Sequence, residues 1–119
     1  MTVPDLQSFS DRVYWLVGEV PAGRVAAYGQ IAILAGHAGA ARAVGTLMRK
    51  MSENGLELPW HRIVNSRAGI SCRGDLERPR LQRELLEAEG HVFSRQGTVV
   101  GTECFWTPER VFWENDDHS

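Results

Sequence analysis

This 119-residue chain has little cysteine, with only Cys72 and Cys104, far apart and outside any CxxC pair. Neither a disulfide framework nor a zinc site is expected from that spacing. Four scattered histidines do not add a ligand cluster, so no metal and no cofactor are expected. No apolar run approaches the length of a membrane span, which argues against a membrane protein. The N-terminal MTVPDLQSFSDR lacks the basic-then-apolar order of a secretory signal, and a cytoplasmic location is expected. Repeats, low-complexity tracts and interior linkers are also missing. The length suits one hydrophobic core and is too short for two.

What is present is an ordinary globular composition, 43% hydrophobic and 24% charged, with a net charge of −2. That sum argues weakly against nucleic acid, but the distribution of charge matters more. Between Arg24 and Arg80 stand nine basic residues (eight arginines and Lys50) and four acidic ones, Glu53, Glu57, Asp75 and Glu77. The acidic excess lies at the two ends. A basic middle of this kind forms either a phosphate-binding face or a mixed solvated surface, and charge alone favours neither.

Periodicity predicts a mainly helical fold. Leu6, Phe9, Val13, Leu16, Val17 and Val20 recur at helical spacing until Pro21-Ala22-Gly23 stops them. Residues 28–35 read as a short helix closed by Gly36, and a second helix follows the turn His37-Ala38-Gly39, from about Ala40 to Met51. Two short helices across a glycine-containing turn are a helix-turn-helix candidate. Ile63-Val64 and Ile70-Ser71 flank 65–69 and predict a short hairpin or a winding loop. A final helix begins near Arg78-Pro79, with Leu81, Leu85 and Ala88 expected inward, and ends at Gly90. His91-Val92-Phe93 is a candidate short strand. The expected class is a winged helix-turn-helix-like domain over 1–106, followed by an acidic tail, 107–119, whose last six residues are expected to be disordered.

The second helix of the pair is unusual, because Ala40, Ala41, Ala43 and Gly45 leave Arg42 projecting alone. A helix that reads bases in the major groove carries several polar side chains. A bare helix permits close backbone approach, as in a narrow minor groove, or tight packing on a neighbouring element. Composition does not choose between these.

Two motifs do. Ala41-Arg42-Ala43-Val44-Gly45 and Pro59-Trp60-His61-Arg62-Ile63 resemble the O6-alkylguanine-DNA alkyltransferases. Those enzymes carry Pro-Cys-His-Arg followed by Val or Ile, and their cysteine removes the alkyl group from damaged guanine. Here Trp60 takes the cysteine's place, and an indole is no nucleophile. The chain is therefore similar to the alkyltransferase-like proteins, which bind alkylated guanine without repairing it. The resemblance runs from about Phe9 to Gly90.

The resemblance implies roles for particular residues. The helix with Ala41, Ala43 and Gly45 enters the minor groove, and Arg42 fills the gap left by a flipped nucleotide. Tyr28 crowds the 3′ phosphate and helps rotate that nucleotide. Flipping has a physical reason, since the 6-oxygen of guanine lies inside the duplex; extrusion costs roughly a few kcal/mol, less where damage weakens pairing. Trp60 packs on the alkyl group or the base. His61 and Glu89 match the histidine and glutamate of the enzymes' proton relay and, with no thiol to activate, remain as structural or hydrogen-bonding groups. Asn54 matches the asparagine that ties the turn beneath the site. In the loop Ile70-Ser71-Cys72-Arg73-Gly74, Ser71 and Arg73 complete the lesion pocket, with the Arg73 guanidinium on the aromatic face of the base, worth about 1–2 kcal/mol when desolvated. The implied partners are duplex DNA containing O6-alkylguanine and the proteins of nucleotide excision repair, with this chain acting as a monomer. Two other functions are weighed: a sequence-reading regulator, for which the helix offers too few base-contacting residues, and a residual alkyltransferase using Cys72, which has no motif-placed histidine to activate it.

Overall fold

The structure is a computed structural model, and it describes residues 3–53, 57–71, 77–101, 103–108 and 113. Four helices dominate: α1 (Phe9–Glu19), α2 (Tyr28–Leu34), α3 (Ala41–Glu53) and α4 (Glu77–Ala88). Two short strands, β1 (Ala26–Ala27) and β2 (Ile63–Val64), pair in parallel, Ala26 opposite Ile63 and Ala27 opposite Val64. A single 3-10 turn, Trp60–Arg62, leads into β2.

Local chemistry explains the helix boundaries. The Ser8 hydroxyl accepts the Asp11 amide at 3.1 Å and caps α1, and Val20 leaves the helix just before Pro21. Between α2 and α3 the chain turns on Gly36 (φ 96°) and Gly39 (φ 92°), a region side chains rarely enter. The turn places the two helices against each other as the sequence predicted. Proline is tolerated in the first turn of α4, where its missing N–H is one of the orphan donors.

The core has two parts. Val13, Leu16 and Val17 of α1 meet Ile31 and Ala32 of α2, and Val44, Met48 and Met51 of α3, all at most 1% exposed. A smaller cluster joins Val25, Val64, Ala68, Leu86, Val99 and Cys104. The chain returns to the sheet late: the Val25 amide donates to the Cys104 carbonyl at 2.8 Å, and the Trp106 amide to the Val25 carbonyl at 2.7 Å. The Gln30 side chain reinforces this return by donating to the Trp106 carbonyl at 2.7 Å.

Several expectations need correcting. Of the hairpin and the loop, the structure forms the loop. Asn65 Oδ1 accepts the amides of Arg67 and Gly69, both at 2.9 Å, and Ala68 sits at φ 61°. Ile63-Val64 pairs with β1, so Ile70-Ser71 is not its partner; Gly69 instead bridges Thr98. The 91–93 segment contributes one isolated bridge, Phe93 to Val99, and no strand of its own. On α4 the buried residues are Pro79, Gln82 and Leu86, whereas Leu81 is 48% exposed and Ala88 is exposed. A glutamine turns inward here because its Nε2 donates to the carbonyls of His61 at 3.0 Å and Ile63 at 2.8 Å. This ties α4 to the 3-10 turn and satisfies a buried amide that would otherwise be costly.

One residue of the segment assigned to the acidic tail is built into the core. Trp113 is 2% exposed, its ring meets Trp15 edge-on with centroids 5.8 Å apart, and its Nε1 donates to the Leu34 carbonyl at 2.8 Å. The guanidinium of Arg12 lies 4.8 Å from its ring centroid and donates to the carbonyls of Leu6 and Ala35. The expected disorder of 114–119 lies outside the described residues. No helix among the described residues is long and apolar enough to cross a membrane.

Candidate nucleic-acid interface

α3 is strongly two-faced. Val44, Met48 and Met51 bury one side, while Arg42, Ala43, Thr46, Arg49 and Lys50 remain exposed. Ala41 and Gly45 flank Arg42 with almost no side-chain bulk, and the Thr46 hydroxyl turns back to donate to the Arg42 carbonyl at 3.1 Å. Backbone can therefore approach a partner closely around one protruding guanidinium. A Cβ on Gly45 would lie 4.0 Å from the Tyr28 ring, which places that ring against α3 within a turn of Arg42. The hinge of glycines between α2 and α3 is what fixes Tyr28 and Arg42 on a common face.

This face borders a concavity of about 380 Å³, whose lining includes Tyr28, Arg42, Arg49, Glu53, Ser71 and Arg78. Of the residues expected in the site, Tyr28, Ala41, Arg42, Gly45 and Ser71 converge here. Ala43 is exposed one residue further round α3. Asn54, Cys72 and Arg73 lie outside the described residues. Trp60 is a different case. It is 8% exposed, belongs to the main core cluster and meets the His61 ring edge-on at 6.2 Å. Among the described residues lining the concavity it does not appear, so its ring packs in the core and is not part of the cleft's lining.

His61 and Glu89 come together as expected, with His61 Nε2 donating to Glu89 Oε2 at 3.1 Å. A third residue completes the arrangement. Arg62 Nε donates to both carboxylate oxygens, at 3.0 and 3.1 Å, its NH2 donates to Oε2, and its NH1 reaches the Val20 carbonyl at 2.8 Å. Burial alone would push the Glu89 carboxyl up, but the hydrogen bonds and charges of Arg62 and His61 outweigh it and hold Glu89 below the ordinary glutamate range. The group is thus a clamp. It joins the end of α1, the 3-10 turn and the end of α4, and all three side chains are 13–17% exposed.

Nearby, His91 Nε2 is buried with no partner among the described residues. Burial first, and the positive charges of Arg24, Arg62 and His61 against the opposing pull of Glu89, keep its pKa low and its ring neutral-favouring. Cys104 is buried in the second core cluster, where burial pushes its thiol up and away from nucleophilic use.

Sequence reasoning missed Arg49, Thr46, Glu53 and Arg78. The first three were within reach, because positions 42, 46, 49 and 53 follow helical spacing along one face of α3. Arg78 lies on another element, and only the tertiary fold brings it to the same concavity.

Comparison with known proteins fixes the class. Residues 8–91 match the family described as 6-O-methylguanine DNA methyltransferase, DNA binding domain. A DNA base-flipping protein of Vibrio parahaemolyticus is 38% identical over 104 residues, covering 87% of this chain and all of the relative. Alkyltransferase-like protein 1 of Schizosaccharomyces pombe is 39% identical over 85 residues, covering 71% of this chain and 78% of the relative. The crystal structure of the S. pombe protein in complex with damaged DNA containing O6-carboxymethylguanine superposes with a TM-score of 0.73 at 36% identity, over 84% of this chain and 95% of that one. The chain belongs to this DNA-binding family and is similar to relatives named as alkyltransferase-like and DNA base-flipping proteins.

Proposed function

We propose that the protein binds O6-alkylguanine in duplex DNA without removing the alkyl group. In this reading α3 lies in the minor groove, Arg42 occupies the stack, Tyr28 presses on the neighbouring phosphate, and the rotated base enters the concavity beside Ser71. The observation that carries it is the joint one: Arg42 projects from the bare first turn of α3, between Ala41 and Gly45, while Trp60 holds the position where the related enzymes have their reactive cysteine. The S. pombe relative, crystallised with damaged DNA containing O6-carboxymethylguanine, supports the choice of ligand. In this reading Trp60 stands where the enzymes have their cysteine, and Asn54 and Arg73 take the roles that the family resemblance implies, Arg73 against the flipped base. The His61–Arg62–Glu89 clamp keeps the relay geometry of an enzyme but serves to hold the wall in place.

A protein that binds a lesion and leaves it intact acts through others. The reading therefore includes a monomer in the cytoplasm that marks lesions for nucleotide excision repair. Binding to matched duplexes containing guanine or O6-methylguanine tests the core of it. The methylated duplex is expected to bind more tightly, and equal affinities for the two duplexes would refute lesion recognition.

A further inference from the structure

The concavity holds three guanidiniums, from Arg42, Arg49 and Arg78, against one carboxylate, Glu53. Among the described residues none of the three guanidiniums is engaged in a hydrogen bond or an ion pair. Three other arginines are used differently: Arg62 is clamped by Glu89, Arg12 lies over Trp113, and Arg83 meets Glu87 and the Phe93 ring. Three unneutralised like charges in about 380 Å³ cost free energy in the free protein. Such an arrangement is built for an anion.

Geometry separates the work of the three. Arg42 and Arg49 lie seven residues apart on one face of α3, so about 10 Å separates them along the helix axis. A DNA strand carries a phosphate about every 3.4 Å of rise, so a span of about 10 Å takes Arg49 past the phosphate nearest Arg42. Arg78, at the start of α4, lines the same concavity. Two guanidiniums from different helices bordering one concavity match the forked recognition of phosphate oxygens.

We propose that Arg49 and Arg78 together grip one backbone phosphate, beyond the phosphate nearest the nucleotide that Arg42 displaces. The inference rests on the reading that Arg42 enters the base stack, and it adds a second fixed point for the strand. Holding the backbone on both sides of the extruded nucleotide sets the register of the helix on the duplex, which is the task of phosphate contacts.

The test is a set of binding curves for wild type, Arg49→Gln and Arg78→Gln. Each is measured on guanine, O6-methylguanine and O6-carboxymethylguanine duplexes at several salt concentrations. A second series carries a single neutral methylphosphonate at successive positions. Arg78→Gln is expected to weaken all three duplexes by a similar factor, about 5–10-fold, and to lower the salt slope by about one. One methylphosphonate position near the lesion is expected to weaken wild type by a larger factor than either variant, each of which keeps a single guanidinium there. A loss confined to the carboxymethyl duplex, with the salt slope unchanged, would assign Arg78 to the lesion's substituent and overturn the proposal. So would the absence of any methylphosphonate position coupled to Arg78. The guanine duplex scores the phosphate contact by itself, so a failure of lesion preference in wild type is read separately. Equal melting temperatures for wild type and Arg78→Gln confirm that the loss arises at the interface.

Discussion

Replacing Glu89 by glutamine keeps the shape of the clamp and removes its charge. In the folded protein the carboxylate receives hydrogen bonds from His61 and three from Arg62, and the group is 17% exposed. A hydrogen bond to a charged partner contributes roughly 1.5–3 kcal/mol, and breaking a buried pair costs more than breaking a surface one. The glutamine retains one acceptor oxygen, and Arg62 keeps the Val20 carbonyl, so the expected loss is about 2 kcal/mol at neutral pH. For a chain of this size that is a fall of about 8 °C in melting temperature. The pH dependence identifies the cause. Glu89 has a lowered pKa in the fold, so its contribution is fully present above the unfolded-state value of about 4.3 and disappears as pH falls through the folded value. The gap between wild type and Glu89→Gln, followed by thermal melts, should therefore be constant from pH 5 to 7 and close at lower pH. Lesion affinity of the folded variant should change little, because the clamp holds the wall and moves no proton. A stability gap independent of pH, or a large loss of affinity with unchanged stability, would refute the assignment.

Trp113→Ala should destabilise the protein by about 3–5 kcal/mol in chemical denaturation, the usual cost of emptying a buried aromatic site, whereas Trp113→Phe should recover most of that and lose the bond to the Leu34 carbonyl; a melt unchanged in Trp113→Ala would remove this residue from the core. Arg42→Ala should weaken binding and lower the fluorescence of a 2-aminopurine reporter beside the lesion, since the base returns to the stack. Undiminished fluorescence in that variant would show that the arginine does not hold the stack open.

The helices were legible because each buries one periodic face between strong stops. α1 ends before Pro21, α2 and α3 are divided by glycines with positive φ, and α4 ends before Gly90. Arg42, Tyr28 and Ser71 were legible because a motif named them, and the fold brings them to one concavity. What stayed hidden depends on contacts distant in sequence. Gln82 points inward only because two carbonyls near residue 61 need a donor, so α4 is rotated from the face its leucines suggested. Two-residue strands are too short to carry a period, and the pairing of Ala26 with Ile63 joins segments 37 positions apart. Arg62 looked like a motif letter until its guanidinium was seen bridging Glu89 and Val20. Trp113 sits among acidic residues, and nothing in its neighbourhood announces the slot between Trp15 and Leu34.

The most direct test of recognition without repair is to incubate the protein in excess with a duplex bearing one O6-methylguanine and isolate the complex. Intact masses of both the protein and the modified strand are then measured. With Trp60 in place of the reactive cysteine, both masses should be unchanged while the complex persists. A protein heavier by one methyl group, with a strand lighter by the same amount, would contradict the account and reveal an alkyltransferase.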